Sequence, residues 1–458
     1  MDKWTLESRQ EPLVRVGVVL PEDGATSVRM DASETDYRLT PTSDAEGTGC
    51  GARSFVLRVD GERIALVVDG KPADVARRWR VIPPAGDRAH PPLITLHDVV
   101  AGRGFHWEKR ITQVVPGAFV ASVCDGRILL VNEIPIEDYL KGVITAEMGG
   151  ECPMDLLKAQ CVTARSWLLA RTERKHEAQG FDFCNDDCCQ RYQGFTHLTP
   201  AGHSAVEETR GEVMIHRSGT LVDANYSKCC GGVVEGPEPV WGIYKPGQYV
   251  VADAPPDSHA RRFVPLQPAQ LDEYLTGDWL NTCDVFCSPN VVSPAEFEKY
   301  LGAVDEAGSY FRWTVEYPRA RLEEILRTKF FERTGITGRE ALAELLDLAV
   351  TRRGHSGRAT ALQVVYHDPE QRRRTATIED QYWIRHALHE KFLFSSAFKV
   401  AAERDQRGRL QTIRLIGAGW GHGAGLCQIG ALGMALQGYD YATILHHYFE
   451  QMDIRQAY

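Results

Sequence analysis

Residues 136–148 read Ile136-Glu137-Asp138-Tyr139-Leu140-Lys141-Gly142-Val143-Ile144-Thr145-Ala146-Glu147-Met148. Ile136, Leu140, Val143 and Ile144 recur at i, i+4, i+7 and i+8, the period of a helix with one apolar face. Glu147 stands at i+11 and so falls on that same face. A carboxyl held against apolar surroundings loses solvation of its charged form. Its pKa rises, and it becomes a usable general acid near neutrality. The plainer alternative is a frayed helix end at which Glu147 reaches water or pairs with Lys158 or Arg165.

Before this helix the chain is strand-rich. Val14–Leu20, Phe55–Val59, Ile64–Val68 and Ile128–Val131 are short β-branched runs, punctuated by Asp60-Gly61, Asp69-Gly70 and Asp125-Gly126, and they predict an antiparallel β region. After it, a second helix is expected over about 153–175 with Pro153 in its first turn. Residues 181–265 are mixed. Leu322, Ile325 and Leu326, then Leu342, Leu345 and Leu346, predict helices within 320–350, broken by Gly335 and Gly338. Two helices flank Gly438, the second capped by Asp440. The expected fold class is α+β.

The 458 residues carry 52 Lys+Arg against 62 Asp+Glu, a formal charge of −10, which argues against a nucleic-acid partner. No apolar run reaches the ~18 residues of a membrane span. Met1–Glu7 lacks the charged-then-apolar layout of a secretory signal. Twelve cysteines in such a chain fit metal binding, thiol chemistry or core packing better than a disulfide scaffold. There is no Walker A loop, H-E-x-x-H or G-x-S-x-G motif.

Two further stretches bear chemistry. Gly417-Ala418-Gly419-Trp420-Gly421-His422-Gly423-Ala424-Gly425 has glycine at every second position, which does not fit G-x-G-x-x-G. Such a run suits a backbone passing close to a ligand or adopting unusual torsions. It displays Trp420, on which a sugar ring can stack, and His422, which can move protons or hold a hydroxyl. Cys184, Cys188 and Cys189, with His176 upstream, could supply three thiolates and an imidazole for tetrahedral zinc. Cys229-Cys230 are adjacent and awkward for a mutual disulfide; they could complete that metal site or be buried thiols. Cys283-x-x-x-Cys287 sits in a loop-like context near Pro289, and Cys50, Cys124, Cys152, Cys161 and Cys427 are expected to be packing residues.

Together these segments resemble the SpoIID/LytB family of bacterial cell-wall proteins. The matching stretches are Ile136–Val143 to Glu147-Met148, Leu157–Gln160 to Ala164-Arg165, and Cys189-Gln190-Arg191-Tyr192-Gln193-Gly194. Then come Ala205-Val206 to Thr209–Gly211, Ala224–Ser227 to Gly231-Gly232, and Gly419–Gly423 to Gln428–Ala431. The resemblance implies a SpoIID-like mixed core domain over 131–458, with an insertion at about 265–400, behind an N-terminal β-rich region over 1–130.

It also implies a lytic transglycosylase acting on peptidoglycan glycan strands stripped of peptides, with Glu147 as the acid. Arg165, Tyr226, Trp420, His422 and Gln428 would bind the strand or stabilise charge, while Glu137, Asp138 and Glu151 are expected to be exposed. The family's zinc site puts Cys184 and Cys189 at its cysteine positions, Cys188 where histidine is usual, and His176 as the histidine to be tested. The family's Ser-Gly-Gly is here Cys230-Gly231-Gly232. Two other functions compete: a non-catalytic wall-binding factor that partners a cell-wall amidase, and a cytosolic zinc or redox protein on the same fold. The family implies a periplasmic or envelope location, against which stands the lack of a visible signal peptide.

Overall fold

The protein is described here by a computed structural model, in which residues 10–32, 36–42, 50–86, 90–105, 108–170, 174–277, 285–301 and 308–458 are placed. Cys283 lies outside the described residues. The architecture is α+β. The N-terminal region forms a six-stranded sheet and, with Phe183–Cys184 added as an edge strand, a seven-stranded one. Asp69-Gly70 and Asp125-Gly126 each combine two positive φ angles, 50° and 74° in the first and 50° and 71° in the second. That is the backbone two-residue hairpins favour, and each joins a pair of antiparallel strands.

The strand Arg127–Pro135 runs straight into helix α1 (Ile136–Glu147). It pairs with Leu13–Val19, which in turn pairs in parallel with Phe183–Cys184. Residue 131 therefore lies inside a strand, and one hydrophobic core contains Val16, Leu130, Tyr139, Val143, Leu157 and Phe183 alike. Helices α2 (Met154–Ala170) and α3 (Pro200–Glu208) pack against α1.

Every residue of α1 is buried, which corrects the expected exposure of Glu137 and Asp138. The reason is that α2 and α3 cover the helix's polar side, with α2 bringing a partner for Glu137 and α1 itself supplying one for Asp138. Asp138 takes a hydrogen bond from Lys141 Nζ at 3.0 Å. Glu137 is fully buried; Arg165 donates to it through Nε at 3.0 Å and Nη2 at 2.7 Å, and the Gly211 N–H at 3.0 Å. Glu151 is exposed, as expected.

A second core, around Trp313, Leu322, Leu345, Leu362 and Phe398, organises the insertion. Here the helical reading of 342–350 is corrected: Arg319–Leu326 is helical, but Glu344–Arg353 is a strand paired with Ala359–His367. A register shift between Leu345 and Asp347 adds a residue to the strand, so Leu345 and Leu348 both face inward at a spacing that imitates a helix. The strand Leu410–Ala418, paired with Arg312–Pro318 and Phe398–Arg404, delivers the glycine-rich run to the site. The two C-terminal helices are Gln428–Leu436 and Tyr441–Tyr448, the latter capped by Asp440, which accepts from the Thr443 N–H at 2.8 Å. No helix among the described residues is long and apolar enough to cross a membrane.

Replacing Arg165 with Ala strands the Glu137 carboxylate in the core. Loss of one partner of a buried pair costs about 3–5 kcal/mol, and urea unfolding should register a destabilisation of that order. Wild-type stability in Arg165→Ala would show that the pair does not hold α1 to α2.

Candidate functional site

Glu147 closes the last turn of α1 and is nearly buried, yet it lines a cavity of about 770 Å³. Its Oε1 accepts two hydrogen bonds, from the Arg191 N–H at 3.0 Å and the Tyr226 hydroxyl at 3.0 Å. Its Oε2 has only a long contact, 3.5 Å, from Gln428 Nε2, and is the oxygen left to carry a proton. Desolvation by burial raises the carboxyl's pKa; Arg191 and Lys228 oppose this and Asp187 reinforces it, and the net direction is upward. Neither partner offered by the frayed-helix alternative is present. Lys158 pairs with Glu208, and Arg165 pairs with Glu137.

Four segments bring the site together. Tyr226–Ser227 pairs in parallel with Leu426–Cys427, which sets Gln428 beside Tyr226. Lys228, which the sequence reading did not single out, donates from Nζ to the Glu147 carbonyl at 2.6 Å and so satisfies the end of α1. The 189–194 loop supplies the Arg191 N–H; it is anchored by Tyr192, which donates to Asn132 Oδ1 at 2.9 Å and stacks on Tyr139.

The alternating glycines are explained by the same assembly. Gly419, Gly421, Gly423 and Gly425 all have positive φ. A Cβ on Gly425 would lie 2.0 Å from the Asn225 carbonyl oxygen, and one on Gly423 would meet the Arg358 guanidinium. The close approach is to the chain's own segments.

Trp420 and His422 both line the cavity with Glu147, Tyr226 and Gln428. One face of Trp420 is covered by Phe394, the ring centroids 4.3 Å apart and 16° from parallel. Trp241 adds a second indole, edge-on to His422. His422 Nδ1 accepts from the Ala424 N–H at 3.1 Å, which leaves Nε2 as the protonated nitrogen. Burial and the cations Arg385, Arg358 and Lys245 push its pKa down to about 3. The ring is therefore neutral and unsuited to relay protons. Arg165 does not join this group: the structure places it in the core, fully enclosed, and away from the cavity lining.

The sulfur cluster adjoins the same cavity, which Cys188 and Cys189 help to line. Ligand atoms of His176, Cys184, Cys188 and Cys189 all lie within 4.8 Å of one another. Cys184 Sγ and Cys188 Sγ are 2.8 Å apart and Cys188 Sγ is 3.9 Å from His176 Nε2. His176 Nδ1 is hydrogen-bonded to Gln179 Oε1 at 2.8 Å. That bond fixes the tautomer that leaves Nε2 as a ligand, the usual arrangement around metal-binding imidazoles. The donor set and its outer partner are of the kind that holds zinc, and binding would spread Cys184 and Cys188 from 2.8 Å to the ~3.8 Å that Zn–S bonds in a tetrahedron require. Arg103, from the N-terminal region, ties this loop down by donating to Asn185 Oδ1 at 2.6 Å and Asp186 Oδ2 at 3.1 Å.

Arg191, Asp187, Trp241 and the insertion residues Tyr382, Arg385 and Phe394 also line the cavity, and the sequence reading assigned them no role. Arg191 could have been found from its place in the Cys189–Gly194 stretch; the others carry no local signal.

Residues 124–216 match the SpoIID family, described as stage II sporulation protein, so the resemblance to SpoIID/LytB proteins holds over the segment that carries α1, α2 and the sulfur loop. Residues 270–425 match a second family, described as a domain of unknown function. Among individual relatives, the chain is 26% identical over 327 residues to an uncharacterized protein of Brachyspira hyodysenteriae, covering 71% of this chain and 68% of that one. It is 27% identical over 320 residues to the amidase enhancer of Bacillus subtilis, spanning 68% of this chain but 39% of that protein's length. Stage II sporulation protein D of Bacillus amyloliquefaciens is 21% identical over 341 residues, 71% of this chain and 76% of its own.

Tyr226→Phe removes a donor from the Glu147 carboxylate and so disfavours its charged form. The Glu147 titration, followed by carboxyl NMR, should move to higher pH than in wild type. An unchanged titration would place the Tyr226 hydroxyl elsewhere.

Proposed function

We propose that the chain is a peptidoglycan lytic transglycosylase-like enzyme with Glu147 as its general acid. The observation that carries this reading is the Glu147 carboxyl itself, desolvated, fixed through Oε1, and open to an aromatic-lined cavity through Oε2. The family match and the names of the relatives support a role at the cell wall.

In this mechanism Glu147 Oε2–H protonates the glycosidic oxygen as the C1–O bond breaks, and an oxocarbenium-like centre develops at C1. The sugar's own 6-hydroxyl attacks C1 and returns its proton to Glu147, closing a 1,6-anhydro ring with no water consumed. Tyr226 and the Arg191 N–H stabilise the carboxylate while it is charged. Trp420, Trp241 and Tyr382 offer ring faces and edges to the sugars, and neutral His422 stands in the cavity wall beside Trp241. Among the described lining residues, arginines and lysines outnumber acids six to three. That balance suits a stripped strand, in which each muramic acid bears a lactyl carboxylate. His176, Cys184, Cys188 and Cys189 would hold a structural zinc whose chemistry is to cross-link the loop that presents the Arg191 N–H.

A second reading, a non-catalytic amidase enhancer that binds the strand and a cell-wall amidase, is favoured by the named Bacillus subtilis relative. It requires the cavity to bind without cleaving.

Glu147→Gln keeps the side chain's shape and removes its acid. Positioned acid catalysis contributes ~10²–10⁴-fold, so anhydro-muramyl product from stripped strands should fall by that factor while strand binding persists. Wild-type protein that binds strands and never yields anhydro product would favour the enhancer. The acid works only when protonated, so the rate should fall as pH rises through the elevated Glu147 pKa; a rate that climbs with pH there would assign Glu147 the role of a base.

A further inference from the structure

A second group of sulfurs lies beneath the cavity floor, separate from the His176 cluster. Sγ of Cys230, Cys287 and Cys427 and a carboxylate oxygen of Asp253 lie within 4.8 Å of one another, and all four residues are buried. From these residues we infer a second, structural zinc site held by Cys230, Cys287, Cys427 and Asp253, which pins the segments around Glu147 to the insertion. The Cys229 thiol lies beside it, in contact with Cys287 and Cys427. The inference stands on these residues alone and is independent of the transglycosylase reading.

The distances suit a metal better than the alternatives. Zn–S bonds of about 2.3 Å in a tetrahedron set sulfurs about 3.8 Å apart. Cys230 Sγ and Cys287 Sγ are 3.7 Å apart, far beyond the ~2.05 Å of a disulfide. The residues reach this point from four separate segments, so no local turn forces the meeting.

The surroundings are those of anionic sulfur. The Cys230 and Gly430 N–H groups donate to Cys427 Sγ at 3.1 and 3.3 Å, and the Gly232 N–H donates to Cys230 Sγ at 3.4 Å. Asp253 is held through both oxygens: Oδ2 accepts from the Cys287 N–H at 3.0 Å, and Oδ1 from the Tyr448 hydroxyl at 2.6 Å. Such outer bonds orient first-sphere carboxylates. Gly430 is required there, since a Cβ would come within 2.4 Å of Asp253 Oδ1. His447 Nε2, 4.0 Å from that oxygen, is buried and has no hydrogen-bond partner.

The charges also balance. Three thiolates and one carboxylate around a divalent ion leave two net negative charges. Two guanidinium groups stand nearby, that of half-buried Arg312, which donates to the Gly231 carbonyl at 2.8 Å, and that of buried Arg358, which donates to the Cys230 carbonyl at 3.0 Å. Without a cation, four anionic groups this close and this buried would repel strongly.

The position gives the ion its task. Cys427 directly precedes Gln428, and Cys229, next to Cys230, exchanges two backbone hydrogen bonds with Trp420 at 3.0 and 2.7 Å. A bond network through the metal thus holds Gln428, Trp420 and Lys228 in register.

Zinc content per chain tests the site on the full-length protein. In Cys184→Ser/Cys188→Ser, which dismantles the other cluster, one zinc per chain should remain; adding Cys230→Ser/Cys287→Ser should reduce it to none. Because the combined variant can fail by misfolding, wild-type crystals provide the independent measurement. Anomalous diffraction at the zinc edge should place a peak at bonding distance from Cys230, Cys287 and Cys427 Sγ. A folded Cys184→Ser/Cys188→Ser protein without zinc, no peak among these sulfurs, or iron in place of zinc would overturn the proposal.

Discussion

Two residues of parallel pairing, Tyr226–Ser227 against Leu426–Cys427, hold the site in one piece. They join segments about two hundred residues apart in sequence and put the Tyr226 hydroxyl and the Gln428 amide on opposite oxygens of Glu147. The pairing is possible only because Gly425 has no side chain where the Asn225 carbonyl approaches. That pairing supplies one of the two donors on Oε1 and the long contact on Oε2, and the 189–194 loop completes the arrangement with the Arg191 N–H.

The insertion is part of the same construction. It covers Trp420 with Phe394, supplies Tyr382 and Arg385 to the cavity wall, and is tied to the glycine-rich run through the strand Leu410–Ala418. On the opposite side, Arg103 joins the N-terminal region to the sulfur loop. The cavity is therefore assembled from regions that read as separate along the chain, and its shape depends on their packing together.

What could be read from the sequence was what periodicity and local chemistry encode. Glu147 was visible because i+11 returns a helix to the same face, and the Asp-Gly turns because their torsions are local. Arg165 was misplaced because its partner, Glu137, sits on another helix and only tertiary packing encloses the pair. The strand at 344–353 was hidden by a bulge that mimics helical spacing. The donor to Glu147 from residue 191 is a backbone N–H, a group every non-proline residue possesses. Cys427 is buried in the core, as a packing residue should be; its nearness to Cys230, Cys287 and Asp253 was not legible because those residues lie far from it in sequence.

The arrangement of acids bears on which sugar chemistry the site can support. A hydrolase needs a second carboxylate, to activate water or to attack C1. Asp187 lines the cavity, but Arg191 engages both its oxygens, so its charge is spent on holding the loop. Asp380, also at the wall, caps a helix by accepting from the Tyr382 N–H at 2.7 Å. Among the described lining acids Glu147 is the buried one, and desolvation holds its carboxyl pKa up. On the proposed reading, one buried acid of this kind protonates the leaving oxygen and takes the proton back from the sugar's own hydroxyl, a course that asks for no second carboxylate.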